Sequence, residues 1–152
     1  MKIWRFGESG PIMERIEDCI NFLLGKAYQK ANQLSKQKLS SYNLTSVQFA
    51  VLHLLWEKDG RHAAELGERL LLDGATMTGL LDRLIQKGLI VRRPDPNDRR
   101  VNRIYLTNKG KRLEQKLNQK MDEANEELLK HFTEAEVASL KRMLAKIGGV
   151  NK

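Results

Sequence analysis

Hydrophobic residues recur in steps of three and four along most of this chain. Between residues 12 and 38 they fall at Ile12, Ile16, Cys19, Ile20, Leu23, Leu24, Ala27, Ala31 and Leu34. Mostly polar and charged residues lie between them, so the pattern predicts one long amphipathic helix. The period breaks at "SSYN" and resumes in "LTSVQFAVLHLLWEKDG". There Thr45, with Gln48 three residues on, is a capping-box start, and Gly60 is a stop signal. Phe49, Val51, Leu52, Leu54, Leu55 and Trp56 make this second helix apolar on most sides, which predicts a central position. "AAELGERLLL" reads as a short helix, "DGA" as a tight glycine-containing turn, and "TMTGLLDRLIQK" as a further helix ended by Gly88.

The period then shortens. "GLIVR" and "VNRIYL" read as strands flanking "RPDPNDRR", residues 93–100, which makes that stretch a hairpin tip. Beyond it Thr107 opens a long helix over 108–132, with Leu113, Leu117, Met121, Ala124, Leu128 and Phe132 on one stripe. Thr133 and Glu136 form a second capping box, and the last helix is expected to bury Val137, Leu140, Leu144 and Ile147. The expected fold is mainly α with a small β-hairpin, one domain over 1–152. Two short helices joined by a tight turn and followed by a hairpin make a winged helix-turn-helix, here residues 40–107. The helices at 12–38 and 108–148 exceed what such a core needs. Their stripes, Ile16/Ile20/Leu23 and Leu117/Met121/Leu128, are expected to pack mostly against a second copy, as dimerisation helices.

Charge adds a function class. The net charge is +8, and residues 91–112 hold 8 Lys/Arg against 2 Asp/Glu, so that short stretch supplies +6 of it. A basic surface concentrated on one hairpin suits a polyanion; the bland alternative is a solvated turn. Pro94 and Pro96 restrict the tip, Asp98 can orient Arg100, and Arg99 and Arg100 are the charges offered to DNA. In a helix-turn-helix the second helix enters the major groove. Over residues 74–87, Met77, Leu80, Leu81, Leu84 and Ile85 form the inward face. Gly74, Ala75, Thr76, Thr78, Gly79 and Arg83 are then the candidate DNA-reading residues: small ones for close approach, Thr and Arg for hydrogen bonds. An ordinary amphipathic helix with a solvated back is the competing reading. Asp82 would orient Arg83 or Lys87, or accept from a cytosine amino group.

Other chemistry is poorly supported. Apolar residues at 41% allow a real core, no run is long enough to span a membrane, and "MKIWRFGESG" lacks the apolar stretch of a signal peptide. A cytoplasmic protein is expected, with one cysteine, Cys19, and so no intrachain disulfide. No glycine-rich phosphate loop, nucleophile–base constellation or metal-ligand spacing is present, so neither an enzyme nor a cofactor or metal is expected. His53, His62 and His131 are scattered, and His62 is expected to touch phosphate or solvent. The remaining alternative is a winged-helix module that binds proteins.

"LTSVQFAVLHLL" and "LGERLLLDGATMTGLLDRLIQKGLIVRRPDPNDRRVNRIYLTNKG" resemble the winged helix-turn-helix core of the MarR transcriptional regulators, over roughly residues 40–112. The resemblance implies a homodimer whose first and last two helices interlock on a pseudo-palindromic double-stranded DNA operator, with repression as the default. It implies that Thr76, Thr78 and nearby residues read the major groove and that Asp98, Arg99 and Arg100 form the wing contact. It also implies a small-molecule effector, often aromatic or anionic, of unknown identity and site. One branch senses peroxide through a first-helix cysteine. Aligned through "FLL", that position falls on Asn21, and its supporting tyrosines fall on Gly25 and Ser35. Two positions along a helix turn a side chain by about 200°, so Cys19 is expected to be a buried structural residue.

Overall fold

A computed structural model describes residues 15–150. A 3₁₀ turn at Ile16–Asp18 precedes α1 (Ile20–Leu39), and a second at Ser40–Tyr42 leads to α2 (Ser46–Glu57). A short strand β1 (Arg61–His62) then runs into α3 (Ala63–Leu70) and α4 (Gly74–Gln86). The hairpin is β2 (Ile90–Pro94) and β3 (Asn102–Leu106), followed by α5 (Asn108–Arg112), α6 (Glu114–Leu129) and α7 (Glu134–Gly148). The three strands form an antiparallel sheet in the order β1-β3-β2, with Arg61 opposite Ile104 and Ile90 opposite Leu106. The winged helix-turn-helix is present, mainly α as expected.

α2 is central: Val47, His53 and Glu57 are its exposed residues, and Val51, Leu52, Leu54 and Leu55 are all buried. They meet Leu66 of α3, Met77, Leu81 and Leu84 of α4, Ile90 and Ile104 of the sheet and Leu117 of α6 in one core. The capping box forms: Thr45 Oγ1 accepts from Gln48 N–H at 3.2 Å, and Gln48 Oε1 accepts from Thr45 N–H at 3.2 Å. Gln48 Oε1 also accepts from Lys87 Nζ at 3.1 Å, which ties the start of α2 to the end of α4. Arg61 is buried with its Nε donating to the Leu54 carbonyl at 2.9 Å and its guanidinium paired with Glu57 and Glu65.

Several expectations are corrected. The first helix is not continuous over the expected span. Residues 12–14 lie outside the described residues, and α1 starts at Ile20 after Cys19 takes an extended conformation (φ −73°, ψ 116°). Ile16, Ile20 and Leu23 are exposed in the single chain. Within the chain only the C-terminal half of the α1 stripe is packed, with Leu34 and Leu39 buried. Cys19 is half-buried rather than a core residue.

The long helix after the wing is two helices. At the junction Leu113 N–H bonds the Gly110 carbonyl three residues back, and that carbonyl also accepts from Trp56 Nε1 at 3.1 Å. The α6 stripe is covered from within the chain: Leu117 and Ala124 are buried, and α1 packs along α6 with Lys38 pairing Glu123 at 3.1 Å. In α7 the Thr133/Glu136 box forms, yet no residue is buried, and Leu144 and Ile147 are exposed.

The turn of the helix-turn-helix contains Leu71, not glycine, in the left-handed region (φ 54°), and Gly74 is already the first residue of α4. The glycine this corner needs is Gly67. A Cβ there would lie 3.0 Å from the Leu72 carbonyl oxygen and 3.2 Å from Met77 Cγ, so its absence lets α4 cross α3 closely. Gly110 is tighter still, with an added Cβ 2.2 Å from the Leu89 carbonyl oxygen. Gly110→Ala is therefore expected to destabilise the protein by roughly 1–3 kcal/mol. Gly79, whose added Cβ would meet nothing within 4 Å, should give a variant Gly79→Ala stabilised by roughly 0.5–1 kcal/mol. Urea unfolding of both checks the contrast, and equal midpoints would contradict it.

Candidate nucleic-acid interface

α4 is held at its start by Asp73. Its carboxylate accepts from Thr76 N–H at 2.8 Å and from the Thr76 hydroxyl at 2.8 Å. The backbone bond from Thr76, with the hydroxyl second, holds the Asp73 carboxyl below its ordinary value. Thr78 donates its hydroxyl to the Gly74 carbonyl at 2.9 Å. Met77, Leu80, Leu81 and Leu84 are buried, and that leaves Gly74, Ala75, Thr76, Thr78 and Arg83 exposed with Gly79 half-buried. All six therefore share the side of α4 turned away from the core. Among the described residues no carboxylate pairs with Arg83. Asp82 does not orient Arg83 or Lys87; it binds Arg92 of β2 at 2.7 Å, so the outer side of α4 adjoins the root of the wing.

The wing tip is the loop 95–101. It is closed by Asp95 N–H to the Val101 carbonyl at 2.9 Å and by Val101 N–H to the Asp98 carbonyl at 3.1 Å. Asp98 grips Arg100 as expected: one oxygen accepts from Arg100 N–H at 3.1 Å and Nε at 3.0 Å, the other from Nη2 at 3.1 Å. That fork holds the Asp98 carboxyl down and the Arg100 guanidinium up from their ordinary values. The Arg100 side chain is nevertheless 90% exposed, an oriented charge at the tip beside exposed Arg99.

Behind the tip lies a feature that the sequence did not reveal. Asp95 is buried. Its Oδ2 accepts from His62 Nε2 at 2.6 Å and from Arg103 Nε at 2.6 Å, and its Oδ1 accepts from Asn97 N–H at 2.8 Å. His62, expected at phosphate or solvent, is joined to the wing through Asp95, while its side chain stays 39% exposed. The only local signal was the Asp-x-Asn spacing of an Asx turn. The partner comes from β1, two residues long and without periodicity. Among the described residues no three His, Cys, Asp or Glu side chains gather as a metal site, and no helix is long and apolar enough to cross a membrane.

The sequence profile of the MarR family matches residues 44–102. The chain is 30% identical over 126 residues to the HTH-type transcriptional regulator MhqR of Bacillus subtilis, covering 83% of this chain and 87% of that one. The chain belongs to the MarR family. Among solved structures, a mutant MarR from Escherichia coli complexed with operator DNA superposes with a TM-score of 0.77 at 33% identity, over 84% of this chain and 91% of that chain. CouR from Rhodococcus jostii, bound to p-coumaroyl-CoA, superposes with a TM-score of 0.79 at 27% identity, over 89% and 95%. The chain is thus a DNA-binding transcriptional regulator of the MarR family, not an enzyme, and the α4 face and wing are its candidate DNA surface.

The Asp95 carboxyl sits well below its ordinary value of 3.8, chiefly through the His62 hydrogen bond and then through the Asn97 amide and Arg103. A depressed folded value means that the stability Asp95 contributes is complete above 3.8 and is lost only as pH falls through that lower value. In an acid titration followed by carboxyl carbon shifts, Asp95 should remain ionised at pH 3.8, and His62→Ala should move its midpoint upward. An unmoved midpoint would contradict the assignment of His62 as the main cause.

Proposed function

We propose that this chain acts in the cytoplasm as a homodimeric repressor on a pseudo-palindromic operator. α4 lies in the major groove, with Gly74, Ala75, Thr76, Thr78 and Gly79 allowing close approach and polar contact and Arg83 reaching a guanine or a phosphate. The wing tip carries Asp98, Arg99 and Arg100 to the backbone or the minor groove, where a narrow groove concentrates negative potential. The observation that carries this reading is Arg100, forked by Asp98 and still 90% exposed. A guanidinium fixed in direction and left open to solvent suits a phosphate or groove contact better than a structural role.

Dimerisation follows from the uncovered ends of the chain. Ile16, Ile20, Leu23, Met143, Leu144, Ile147 and Val150 are exposed, far more apolar surface at two termini than scattered exposure explains. A second copy that interlocks these helices covers them and sets two α4 helices at a fixed spacing, which a two-fold operator matches. Residues 40–107 then serve as the DNA-binding region and the flanking helices as the dimer region. A small-molecule effector that releases the DNA is proposed on the likeness to the ligand-bound CouR structure.

Sedimentation at micromolar concentration should show a dimer, and Leu144→Glu with Ile147→Glu should shift it to monomer with loss of operator binding. A stable wild-type monomer would sink the dimer. Selecting bound sequences from random DNA supplies the operator for the second measurement. Arg100→Ala should weaken operator and unrelated DNA together and flatten the salt dependence. Thr76→Ala or Arg83→Ala should instead erode the preference for operator by roughly 1–3 kcal/mol. Unchanged affinity of Arg100→Ala at every salt concentration would remove the wing contact from the reading.

A further inference from the structure

A hairpin joined to its domain only by its own two strands is compliant, because two-stranded ribbons twist and bend more than wider sheets. In this chain β1 already pairs with β3 and Asp82 holds Arg92, and a buried carboxylate adds a further attachment at the root of the loop. Asp95, the first residue after β2, receives His62 from the entry to α3 and Arg103 from β3 on a single carboxylate oxygen. Arg103 Nη1 goes on to the Gly60 carbonyl at 3.0 Å, and Gly60 N–H bonds the Ile104 carbonyl at 3.0 Å. The circuit Gly60–Arg103–Asp95–His62 closes between the segment that leads into the helix-turn-helix and the root of the wing loop.

We propose that His62 and Asp95 are positioning residues for DNA binding, which clamp the root of the wing loop to the start of α3 and so fix the direction in which Arg99 and Arg100 are presented. This rests on the reading of the wing as a DNA contact. The clamp acts at the hinge of the loop: Asp95 N–H closes the loop onto Val101, while the Asp95 carboxylate holds both Asn97 N–H inside the loop and His62 outside it. His62 has no capping duty to confuse its role, since its side chain makes no cap hydrogen bond to α3. Asp95 is buried and offers its charge to no DNA, so its effect on binding must pass through geometry. Removing the clamp leaves α4 and both wing arginines in place but lets the tip sample other directions. Ordering it again on binding then lowers affinity by roughly threefold to tenfold, the entropic cost of immobilising one or two long side chains.

The test is a double-mutant cycle on the full chain, read by anisotropy of a fluorescein-labelled duplex of mixed sequence at low ionic strength. His62→Ala and Asp95→Asn are each measured alone and combined with Arg99→Ala plus Arg100→Ala. His62→Gln, whose amide nitrogen reaches about where imidazole Nε2 lies, is the rescue. The expected result is that both single changes weaken binding, that His62→Gln restores it, and that neither change matters once the two wing arginines are gone. Amide exchange over residues 97–101 should quicken in His62→Ala but not in His62→Gln. Single variants that bind as tightly as wild type would overturn the proposal. So would a loss of equal size in the background without the arginines, which would mark a general structural effect. If the arginine substitutions themselves leave affinity unchanged, the wing reading fails first and the clamp has nothing to position.

Discussion

One hydrogen bond and one missing Cβ hold the two halves of this molecule in register. The Trp56 indole at the end of α2 donates to the Gly110 carbonyl in α5, and the bare Cα of Gly110 presses against the Leu89 carbonyl at the root of the wing. α2, the hairpin and the start of the long C-terminal helices therefore meet at one point. Thr107 reinforces the junction, since its N–H bonds the Leu89 carbonyl and its hydroxyl donates to the Gly88 carbonyl at 2.7 Å. A larger residue at 110 would push α5 off the hairpin and lose the Trp56 bond with it. The wing and α6 are thereby set at a fixed angle to each other, a condition for any coupling between the C-terminal helices and the candidate DNA surface.

Around that junction the charged residues divide into two groups. One group is committed within the chain: buried Arg61 to the Leu54 carbonyl, half-buried Arg103 to Asp95 and Gly60, and exposed Arg92 to Asp82. The other group, exposed Arg83, Arg99 and Arg100, remains for a partner. The division matters because the sequence shows only a basic cluster. Of the five arginines between residues 92 and 103, Arg92 and Arg103 are committed to carboxylates within the chain, and Arg93 lies over the Tyr105 ring at 5.5 Å from its centroid. Arg100 has a carboxylate as well, but one that directs it outward.

The alternation and capping signals made most of the fold legible. Thr45 with Gln48, Thr107, and Thr133 with Glu136 start helices where local chemistry requires, because each cap is completed within four residues. Gly88 ends α4 in the left-handed conformation that glycine permits. The inward stripe of α4 followed from the 3.6-residue period, which put Ala75, Gly79, Asp82, Arg83 and Gln86 opposite it and Thr76 and Thr78 at the margins. Asp98 and Arg100 were paired because they lie two residues apart. What failed were statements about how far a stripe is packed. Leu117, expected against a second copy, is buried within the chain, and α7 has no buried residue in the single chain.

The sequence by itself thus determined most of the order of elements, β1 and the break between α5 and α6 excepted, the face of α4 that the core leaves free, the tip that carries the charge and the family resemblance. These depend on neighbours along the chain, or on a family profile that spans residues 44–102. Tertiary structure alone decided that the helix after the wing breaks at Leu113, that Gly67 and not Gly74 makes the helix corner possible, and that His62 belongs to the wing. Each of these turns on a contact between residues far apart in sequence: Trp56 with Gly110, Gly67 with Met77, His62 with Asp95. Periodicity describes one element at a time and carries no record of what another element will place beside it.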